Sequence, residues 1–138
     1  MTNSPSITGQ CLCGACTWQT DGPLEKGGIC HCADCRRVTG SAFGVSFRAE
    51  KSRLTQTGET RTFSKAADSG TVLTRHFCPV CGSPLYTESQ AHPDAVFIKA
   101  GSLDMPEALT IDREMWTRSK VLWSDLPATA QKFEQGRI

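Results

Sequence analysis

The stretch "CPVCG", residues 78–82, forms a tight turn that directs two cysteine sulfurs toward one point. Pro79 stiffens the turn, and Gly82 permits the backbone conformation that follows the second cysteine. Zinc takes four soft or borderline ligands in a tetrahedron, with sulfur at about 2.3 Å. Cys78 and Cys81 therefore predict half of a zinc site. A redox-active dithiol is the alternative, but no thioredoxin-like βαβ pattern surrounds the pair.

Two other cysteine groups, "CLCGAC" from residue 11 and "CHCADC" from residue 30, share the spacing C-x-C-x-x-C. Cys11 and Cys13 are the better partners for the Cys78–Cys81 turn, because a glycine follows Cys13 just as one follows Cys81. Four thiolates from these two turns would close a structural zinc site. It would tie the N-terminal strand to a hairpin more than sixty residues away. Structural zinc contributes about 10 kcal/mol or more to folding.

This partition leaves Cys30, Cys32 and Cys35 as three thiolates with an open fourth position, which is the pattern of a catalytic zinc site. Cys16 is an alternative fourth ligand and would close this second site. It begins a strand-like stretch in which Cys16 and Trp18 share a face, and a buried cysteine beside a tryptophan is usually a small core residue. A four-cysteine iron–sulfur cluster is a further alternative, but none of the ferredoxin spacings is present.

Several polar residues surround the second group. His31 lies between two ligands, and the C-x-C geometry directs its side chain away from the metal. Arg36 follows Cys35 directly and can neutralise the site or hold a substrate carboxylate, whereas Arg37 is more often a surface residue. Ser41 either donates a hydrogen bond to a developing alkoxide or only shapes a turn. The predicted catalytic residues are Cys30, Cys32, Cys35, Arg36 and Ser41.

The rest of the chain is typical of an all-β protein, with turn signals about every 8 to 12 residues. "LTQTGETRTFS" predicts two short strands joined by a turn at Gly58 and Glu59. "TVLTRHF" leads into Cys78 and "LYTES" follows the cysteine turn, which predicts a hairpin with zinc at its tip. Two short helical segments are expected, one after Asp34 and one within "DLPATAQKFEQG", where Asp125 is a candidate cap. Arg48 and Arg75 face either a pocket or solvent.

Composition and length limit the possible functions. The 138 residues are enough for a single zinc-binding domain. The net charge of +1 argues against direct nucleic-acid binding. The N-terminal "MTNSPSITGQ" lacks the features of a secretion signal, and no stretch approaches the roughly 18 apolar residues of a membrane helix. We therefore expect a cytoplasmic protein whose 8 cysteines are metal ligands rather than disulfides.

Five sequence blocks together resemble the glutathione-dependent formaldehyde-activating family, which also includes the centromere protein V domain. The blocks are "GQCLCGACTW", "CHCADCRRVTGSAFG", "FCPVCGSPLY", "IKAGSLD" and "MWTRSKVLWSDLP". The resemblance extends from about Gly9 to Phe133. It implies a compact all-β, two-sheet zinc-binding fold similar to methionine-R-sulfoxide reductases, with few short helical turns. It also implies two Zn²⁺ ions, one structural on Cys11, Cys13, Cys78 and Cys81 and one catalytic on Cys30, Cys32 and Cys35.

The same resemblance implies an activity, the joining of formaldehyde to glutathione to give S-hydroxymethylglutathione, which is classed as a carbon–sulfur lyase reaction. Three thiolates on Zn²⁺ leave a net charge of about −1, so such a site generates hydroxide poorly but can hold an incoming thiol as its thiolate. The chain is shorter than the founding enzymes, and Cys16 is often valine in the family. The expected partners are a small-molecule thiol such as glutathione and an aldehyde, with no nucleic acid or membrane; the oligomeric state stays open.

Two other function classes remain open at this stage. The first is a zinc-stabilised protein-binding module in which both zinc ions are structural, as the centromere relative suggests. The second is sulfoxide reduction, which needs a nucleophilic cysteine that binds no metal. Only Cys16 is free in the predicted partition, and the sequence pattern indicates that it is buried.

Overall fold

The computed structural model describes residues 6–136 of the chain, and within this range it has ten β-strands and one short α-helix. The strands are Ile7–Gln10 (β1), Thr17–Thr20 (β2), Gly27–Cys30 (β3), Gly44–Glu50 (β4), Thr55–Thr57 (β5), Arg61–Ala66 (β6), Val72–Phe77 (β7), Pro84–Ser89 (β8), His92–Lys99 (β9) and Ile111–Met115 (β10). The helix is Ala33–Thr39 (α1), and the other helical segments are three-residue 3₁₀ turns. The predicted all-β class with few short helical turns is confirmed.

The strands form two sheets. A three-stranded sheet has the order β1-β2-β5, and a seven-stranded sheet has the order β10-β3-β4-β9-β8-β7-β6. All neighbouring strands are antiparallel except β10, which runs parallel to β3. The predicted β7–β8 hairpin is present, with the "CPVCG" turn at its tip.

The core lies between the two sheets. Phe47 on β4, Ile98 on β9 and Tyr86 on β8 are neighbours in register, so their side chains share one face of the large sheet, and all three are buried. This face packs on Trp18 of the small sheet, whose ring centroid lies 6.1 Å from that of Phe47. Burying each large apolar side chain contributes about 1.5–3 kcal/mol. Because strand side chains alternate, the intervening residues face away from this core.

The pairing expected for "LTQTGETRTFS" is wrong, although both strands exist. β5 pairs with β2 in the small sheet, whereas β6 pairs with β7 at the edge of the large sheet. Gly58 between them has φ 92°, and a Cβ atom at this position would collide with the carbonyl oxygen of Ala15. The segment therefore crosses between sheets against the first cysteine loop instead of forming a hairpin.

The helix expected within residues 125–136 is also wrong. The nearest helical segment is the 3₁₀ turn Leu122–Ser124, and Asp125 lies at its C-terminal end. Leu126 and Phe133 are both largely exposed, so little apolar surface of the segment is buried. A short helix without a packed apolar face is marginal in water.

Glu88 on β8 contacts Lys51 and His76 on neighbouring segments. Its Oε1 accepts a hydrogen bond from Nζ of Lys51 at 2.6 Å, and its Oε2 lies 3.0 Å from Nε2 of His76. The hydrogen bond from Lys51 is the main cause that lowers the pKa of the Glu88 carboxyl, and His76 adds to it against the opposing effect of burial. The ionised carboxylate is therefore favoured in the folded protein.

We expect Glu88→Gln to lower the free energy of unfolding at pH 7 by about 1 kcal/mol. Because the folded pKa is depressed, this contribution is present above the unfolded pKa of about 4.3 and is lost as the pH falls through the folded pKa. Denaturant unfolding of wild type and variant between pH 7 and pH 3 tests this, since acid release of metal is common to both. If the difference in unfolding free energy between wild type and variant were as large at pH 3 as at pH 7, the Glu88 carboxylate would not be its cause.

Candidate metal centres

The first cysteine cluster brings together the four residues that the sequence predicted. The sulfur atoms of Cys11, Cys13, Cys78 and Cys81 all lie within 4.8 Å of one another. The Cys11–Cys13 and Cys13–Cys78 sulfur distances are 3.7 and 3.8 Å. A tetrahedron with zinc–sulfur bonds of about 2.3 Å has sulfur–sulfur edges of about 3.8 Å. The four sulfurs therefore fit a zinc ion without rearrangement.

Two similar loops present these sulfurs. The Cys11 N–H donates to the carbonyl oxygen of Cys16 at 3.0 Å, and the Cys78 N–H donates to that of Ser83 at 3.0 Å. Gly82, after the second cysteine of the latter loop, has φ 78°, the left-handed conformation that favours glycine. The role predicted for this glycine is confirmed.

Hydrogen bonds lower the pKa of Cys11 and Cys81 in this cluster against the opposing effect of burial, whereas burial and the neighbouring sulfurs raise the pKa of Cys13 to about 12. The Cys16 N–H donates to Sγ of Cys11 at 3.3 Å, and the Val80 N–H donates to Sγ of Cys78 at 3.4 Å. Hydrogen bonds from the side chain and backbone of Ser83 lower the pKa of Cys81 to about 5. Donors aimed at sulfur stabilise thiolates, which are the form that binds a metal.

Cys16 lies beside the first cluster and is a core residue. Its side chain is 1% exposed, and its thiol donates to the carbonyl oxygen of Glu59 at 3.2 Å. Burial is the main cause that raises the pKa of Cys16 to about 11, and the neighbouring Cys78 sulfur adds to it. The alternative in which Cys16 closes the second site is therefore wrong. Its burial also makes it a poor nucleophile for sulfoxide reduction.

The second cluster consists of Cys30, Cys32 and Cys35, whose sulfurs lie within 4.8 Å of one another. Cys30 ends β3, Cys32 is the N-terminal cap of α1, and Cys35 lies in the first turn of that helix. The Cys35 N–H donates to Sγ of Cys32 at 3.3 Å. Among residues 6–136 no further histidine, cysteine or carboxylate joins this group. Three sulfurs with no fourth protein ligand are the donor set of an open zinc site.

Gly44 on β4 allows α1 to approach the sheet at this point. It pairs in register with Cys30, and a Cβ atom at position 44 would lie 3.3 Å from Cβ of Cys35. A larger residue would push Cys35 away from Cys30. The sequence analysis did not single out Gly44, although an isolated glycine within an alternating strand is a signal of close backbone approach.

His31 is buried but is not part of the cluster. Its Nε2 lies 3.0 Å from Oε1 of Glu114 on β10, and its ring packs edge-on against Phe43 at 5.4 Å. The backbone N–H of His31 donates to the carbonyl oxygen of Met115 at 3.0 Å. His31 is therefore not a member of the three-cysteine group, in line with the expectation that it is not a ligand. Its contacts tie the cysteine loop to the edge strand β10.

Arg36 follows Cys35 on α1, and Ser41 lies in the loop after that helix. Arg36 is half-buried on α1, while Arg37 is exposed, as expected. Ser41 is exposed in the following loop, where its N–H donates to Oγ1 of Thr39 at 3.2 Å. Within the described range neither side chain hydrogen-bonds to a cysteine sulfur or lines the cavity next to the cluster. The roles of Arg36 and Ser41 therefore stay predictions.

A cavity of about 470 Å³ lies next to Cys30 and Cys35. It occupies the face of the large sheet that points away from the core. Its walls carry a strong excess of positive charge, with Glu25 as the only acidic residue among those that line it. The lysine and arginine residues on its walls are Lys26, Arg48, Arg75, Lys99 and Arg113.

Strand register brings these distant cations together. Arg75 on β7 pairs with Thr87 on β8, Thr87 with Phe97 on β9, and Phe97 with Arg48 on β4. These four residues form a row across one face of the sheet, and Lys99, two residues after Phe97, shares that face. The question of whether Arg48 and Arg75 face a pocket or solvent is answered, since both line the cavity.

Lys99 lies closest in chemistry to the cluster among the three cavity cations that the sequence did not point to, which are Lys26, Lys99 and Arg113. Burial lowers the pKa of its ammonium group, and the negative charges of Cys35, Cys30 and Cys32 oppose that effect. The pKa of the Cys30 thiol is lowered to about 5, chiefly by a hydrogen bond from Cys35, with a contribution from the charge of Lys99. A lysine inside the apolar stretch "VFIKAG" was the available signal.

Comparison with known proteins identifies the family. The family profile described as "Glutathione-dependent formaldehyde-activating enzyme" matches residues 6–119, which is most of the chain. The protein belongs to the glutathione-dependent formaldehyde-activating enzyme family. The matched range contains all 8 cysteines. The resemblance inferred from the cysteine blocks is confirmed.

A comparison with solved structures finds a protein with a similar fold. The crystal structure of a Rhodobacter sphaeroides protein, a structural-genomics target, matches this family member with a TM-score of 0.62 at 19% sequence identity. The match covers 78% of this chain and 99% of the other. At this identity the likeness shows the fold alone. No curated protein sequence matches the chain. Within residues 6–136 no helix combines the length and apolar character that crossing a membrane requires.

Proposed function

We propose that the chain is a single zinc-binding domain that acts as a carbon–sulfur lyase-type enzyme, condensing formaldehyde with glutathione or acting on a related thiol adduct. The observation that carries this proposal is the three-cysteine cluster, which has no fourth ligand among the described residues and lies at a cationic cavity. Membership of the glutathione-dependent formaldehyde-activating family supports the choice of substrates.

Two zinc ions per chain are part of the proposal. Cys11, Cys13, Cys78 and Cys81 would hold the structural ion, and Cys30, Cys32 and Cys35 would hold the other. Bound at the second site, zinc supplies a template and a positive charge that favours an incoming thiol as its thiolate. The half-buried position of these three cysteines leaves that site accessible from the cavity.

The cavity walls suit glutathione. At neutral pH glutathione carries two carboxylates and one ammonium group, so its net charge is negative. A cavity lined by several cations attracts such a molecule and raises its local concentration. The closeness of the cavity to Cys30 and Cys35 supports bringing the glutathione sulfur and formaldehyde together there, which converts a bimolecular encounter into a local reaction.

In the proposed reaction the glutathione sulfur forms a bond to the carbon of formaldehyde. The π pair of the carbonyl bond moves to oxygen, which takes up a proton, and the thiol gives up one proton. Atoms and electrons balance without an oxidant or reductant. Lys99 on the cavity wall is better placed than the exposed Ser41 to stabilise the developing negative charge on oxygen.

The test is exchange NMR on ¹³C-formaldehyde and glutathione, with the zinc-loaded full chain added at increasing concentration. We expect the rate of S-hydroxymethylglutathione formation to exceed the spontaneous rate in proportion to protein concentration. Chelation of zinc should return the rate to background. An unchanged rate at every concentration of the zinc-loaded protein would remove the enzymatic proposal.

A further inference from the structure

The hydroxyl of Thr87 has no partner although it is buried. The residue is 7% exposed on β8, and its Oγ1 atom makes no hydrogen bond within residues 6–136. Nearly all buried side-chain polar atoms in folded proteins are hydrogen-bonded, so an exception requires an explanation. Thr87 lines the cavity next to Cys30 and Cys35, so a molecule in that cavity can supply the missing partner.

Arg75 lies directly opposite Thr87 and lines the same cavity. The two residues pair in register across β7 and β8, and Arg75 is 8% exposed. Its guanidinium group makes no hydrogen bond or close ion pair among the described residues, although, together with the hydrogen bond from Lys65 that is the main cause, its charge helps to lower the pKa of the nearby Asp34 carboxyl. The nearby Asp34 is already paired, because its Oδ1 lies 2.7 Å from Nζ of Lys65. Arg75 therefore has no close ion pair of its own, and a ligand carboxylate in the cavity can accept hydrogen bonds from its guanidinium group.

The negative charge of the cysteine cluster does not balance the positive charge of the residues around it. Three thiolates on Zn²⁺ carry a net charge of about −1. Five lysine or arginine residues line the cavity and only Glu25 opposes them, while Arg113 is partly paired with Asp112 at 3.3 Å. The cavity therefore keeps an excess of positive charge even when the charge of the metal site is included. Arg75 is the most buried of the cavity cations.

We propose that Arg75 and Thr87 form a carboxylate-binding subsite, which holds one carboxylate of the thiol substrate while its sulfur reaches the Cys30–Cys35 cluster. An arginine fork donates two parallel N–H bonds to a carboxylate, and the Thr87 hydroxyl donates a third. The substrate class is therefore small thiols that carry a carboxylate. The choice of a thiol as the ligand rests on the proposed function, whereas the anion site rests on the unpartnered Thr87 hydroxyl and the adjacent Arg75 on the cavity wall.

The first experiment measures binding without chemistry. S-methylglutathione keeps both carboxylates of glutathione but cannot form a thiolate, so its binding to the zinc-loaded full chain reports on the subsite. By calorimetry we expect Arg75→Gln to weaken binding about tenfold or more and Thr87→Val by about three- to tenfold. Arg61→Gln, a charge removal on an exposed edge-strand residue outside the cavity, is the matched control and should bind as wild type does.

Thr87→Val keeps the test decisive if Arg75→Gln fails to fold. Replacing an unsatisfied buried hydroxyl by a methyl group of the same shape is neutral or stabilising, so the melting temperature should hold or rise. Weakened binding at unchanged or raised stability supports the subsite. Wild-type affinity in Thr87→Val, or no binding of S-methylglutathione to the wild type at millimolar concentration, overturns it.

A matched pair of thiols tests the substrate class. 3-Mercaptopropionate carries a carboxylate, whereas 2-mercaptoethanol carries a hydroxyl in its place. The Thr87→Val and Arg75→Gln variants should weaken binding of the first and leave the second unchanged. Equal weakening of both thiols, or displacement of S-methylglutathione by inorganic phosphate at concentrations as low as those of 3-mercaptopropionate, overturns the carboxylate assignment.

The two proposals fail in different ways. If S-methylglutathione binding depends on Arg75 and Thr87 but the protein does not accelerate the formaldehyde reaction, the subsite proposal holds and the enzymatic proposal is wrong. If Thr87→Val accelerates the reaction as well as wild type at subsaturating glutathione and binds S-methylglutathione with unchanged affinity, the enzymatic proposal holds and the subsite proposal is wrong.

Discussion

Replacing Cys78 by serine is expected to leave the chain unfolded in the absence of denaturant. Cys78 is 0% exposed, and its sulfur is one of four that fit a tetrahedral zinc ion. Structural zinc contributes about 10 kcal/mol or more to folding, and the net stability of a folded protein is only about 5–15 kcal/mol. Losing the closed site therefore removes most or all of the folding free energy. Far-ultraviolet circular dichroism and the dispersion of amide NMR signals measure the loss.

Cys16→Ala is the matched control for this prediction. Cys16 is equally buried and lies beside the same cluster, but its sulfur is hydrogen-bonded to the Glu59 carbonyl oxygen instead of belonging to the four-sulfur group. We expect this variant to fold, to retain two zinc ions, and to lose only about 1–2 kcal/mol through the small cavity. A Cys78→Ser protein that melts no lower than Cys16→Ala would show that the first cluster is not a structural metal site.

The second large effect is expected for Cys35→Ser, which should remove catalysis and keep the fold. Two thiolates and a neutral hydroxyl hold zinc far more weakly than three thiolates. Cys35 is half-buried in the first turn of α1, and the first cluster and the core stay intact. We predict zinc content falling from about two ions per chain to about one, and a formaldehyde–glutathione exchange rate equal to background.

Arg37→Gln is the control on the same helix, because Arg37 is exposed and lies outside the cavity. It should retain both metal ions and the full rate. Metal content, exchange rate and melting temperature should be measured on the same preparations of the wild type, Cys35→Ser and Arg37→Gln. If Cys35→Ser lost one zinc ion but kept the wild-type rate, the three-cysteine cluster would not be the catalytic site.

Local patterns were sufficient to predict most of the strands but not all of their partners. The β7–β8 hairpin follows from two strand-like stretches on either side of one turn. The strands on either side of Gly58 look equally like a hairpin, yet they belong to different sheets because the chain at Gly58 packs against Ala15. That contact joins residues far apart in sequence, so no local pattern predicts it. The C-terminal segment buries too little apolar surface to stabilise a helix there.

The two cysteine clusters were predictable because the spacing within each cysteine motif is local, whereas the cavity was not. Arg75, Thr87 and Lys99 come from three strands, and only the register places them on one face. Arg36 was chosen because it follows Cys35 in sequence. In a helix, however, successive residues point about 100° apart, so a neighbour in sequence faces a different direction.

Seven of the eight cysteines are proposed to be shared unevenly between two ions, four at one and three at the other. A binding module with two closed structural sites would use its sulfurs differently. Zinc K-edge X-ray absorption on the two-zinc protein counts sulfur neighbours directly. We predict an average of about 3.5 sulfurs per zinc, which rises to about 4 when glutathione is added. An average of 4 before any thiol is added, or no change on adding glutathione, would contradict an open catalytic site.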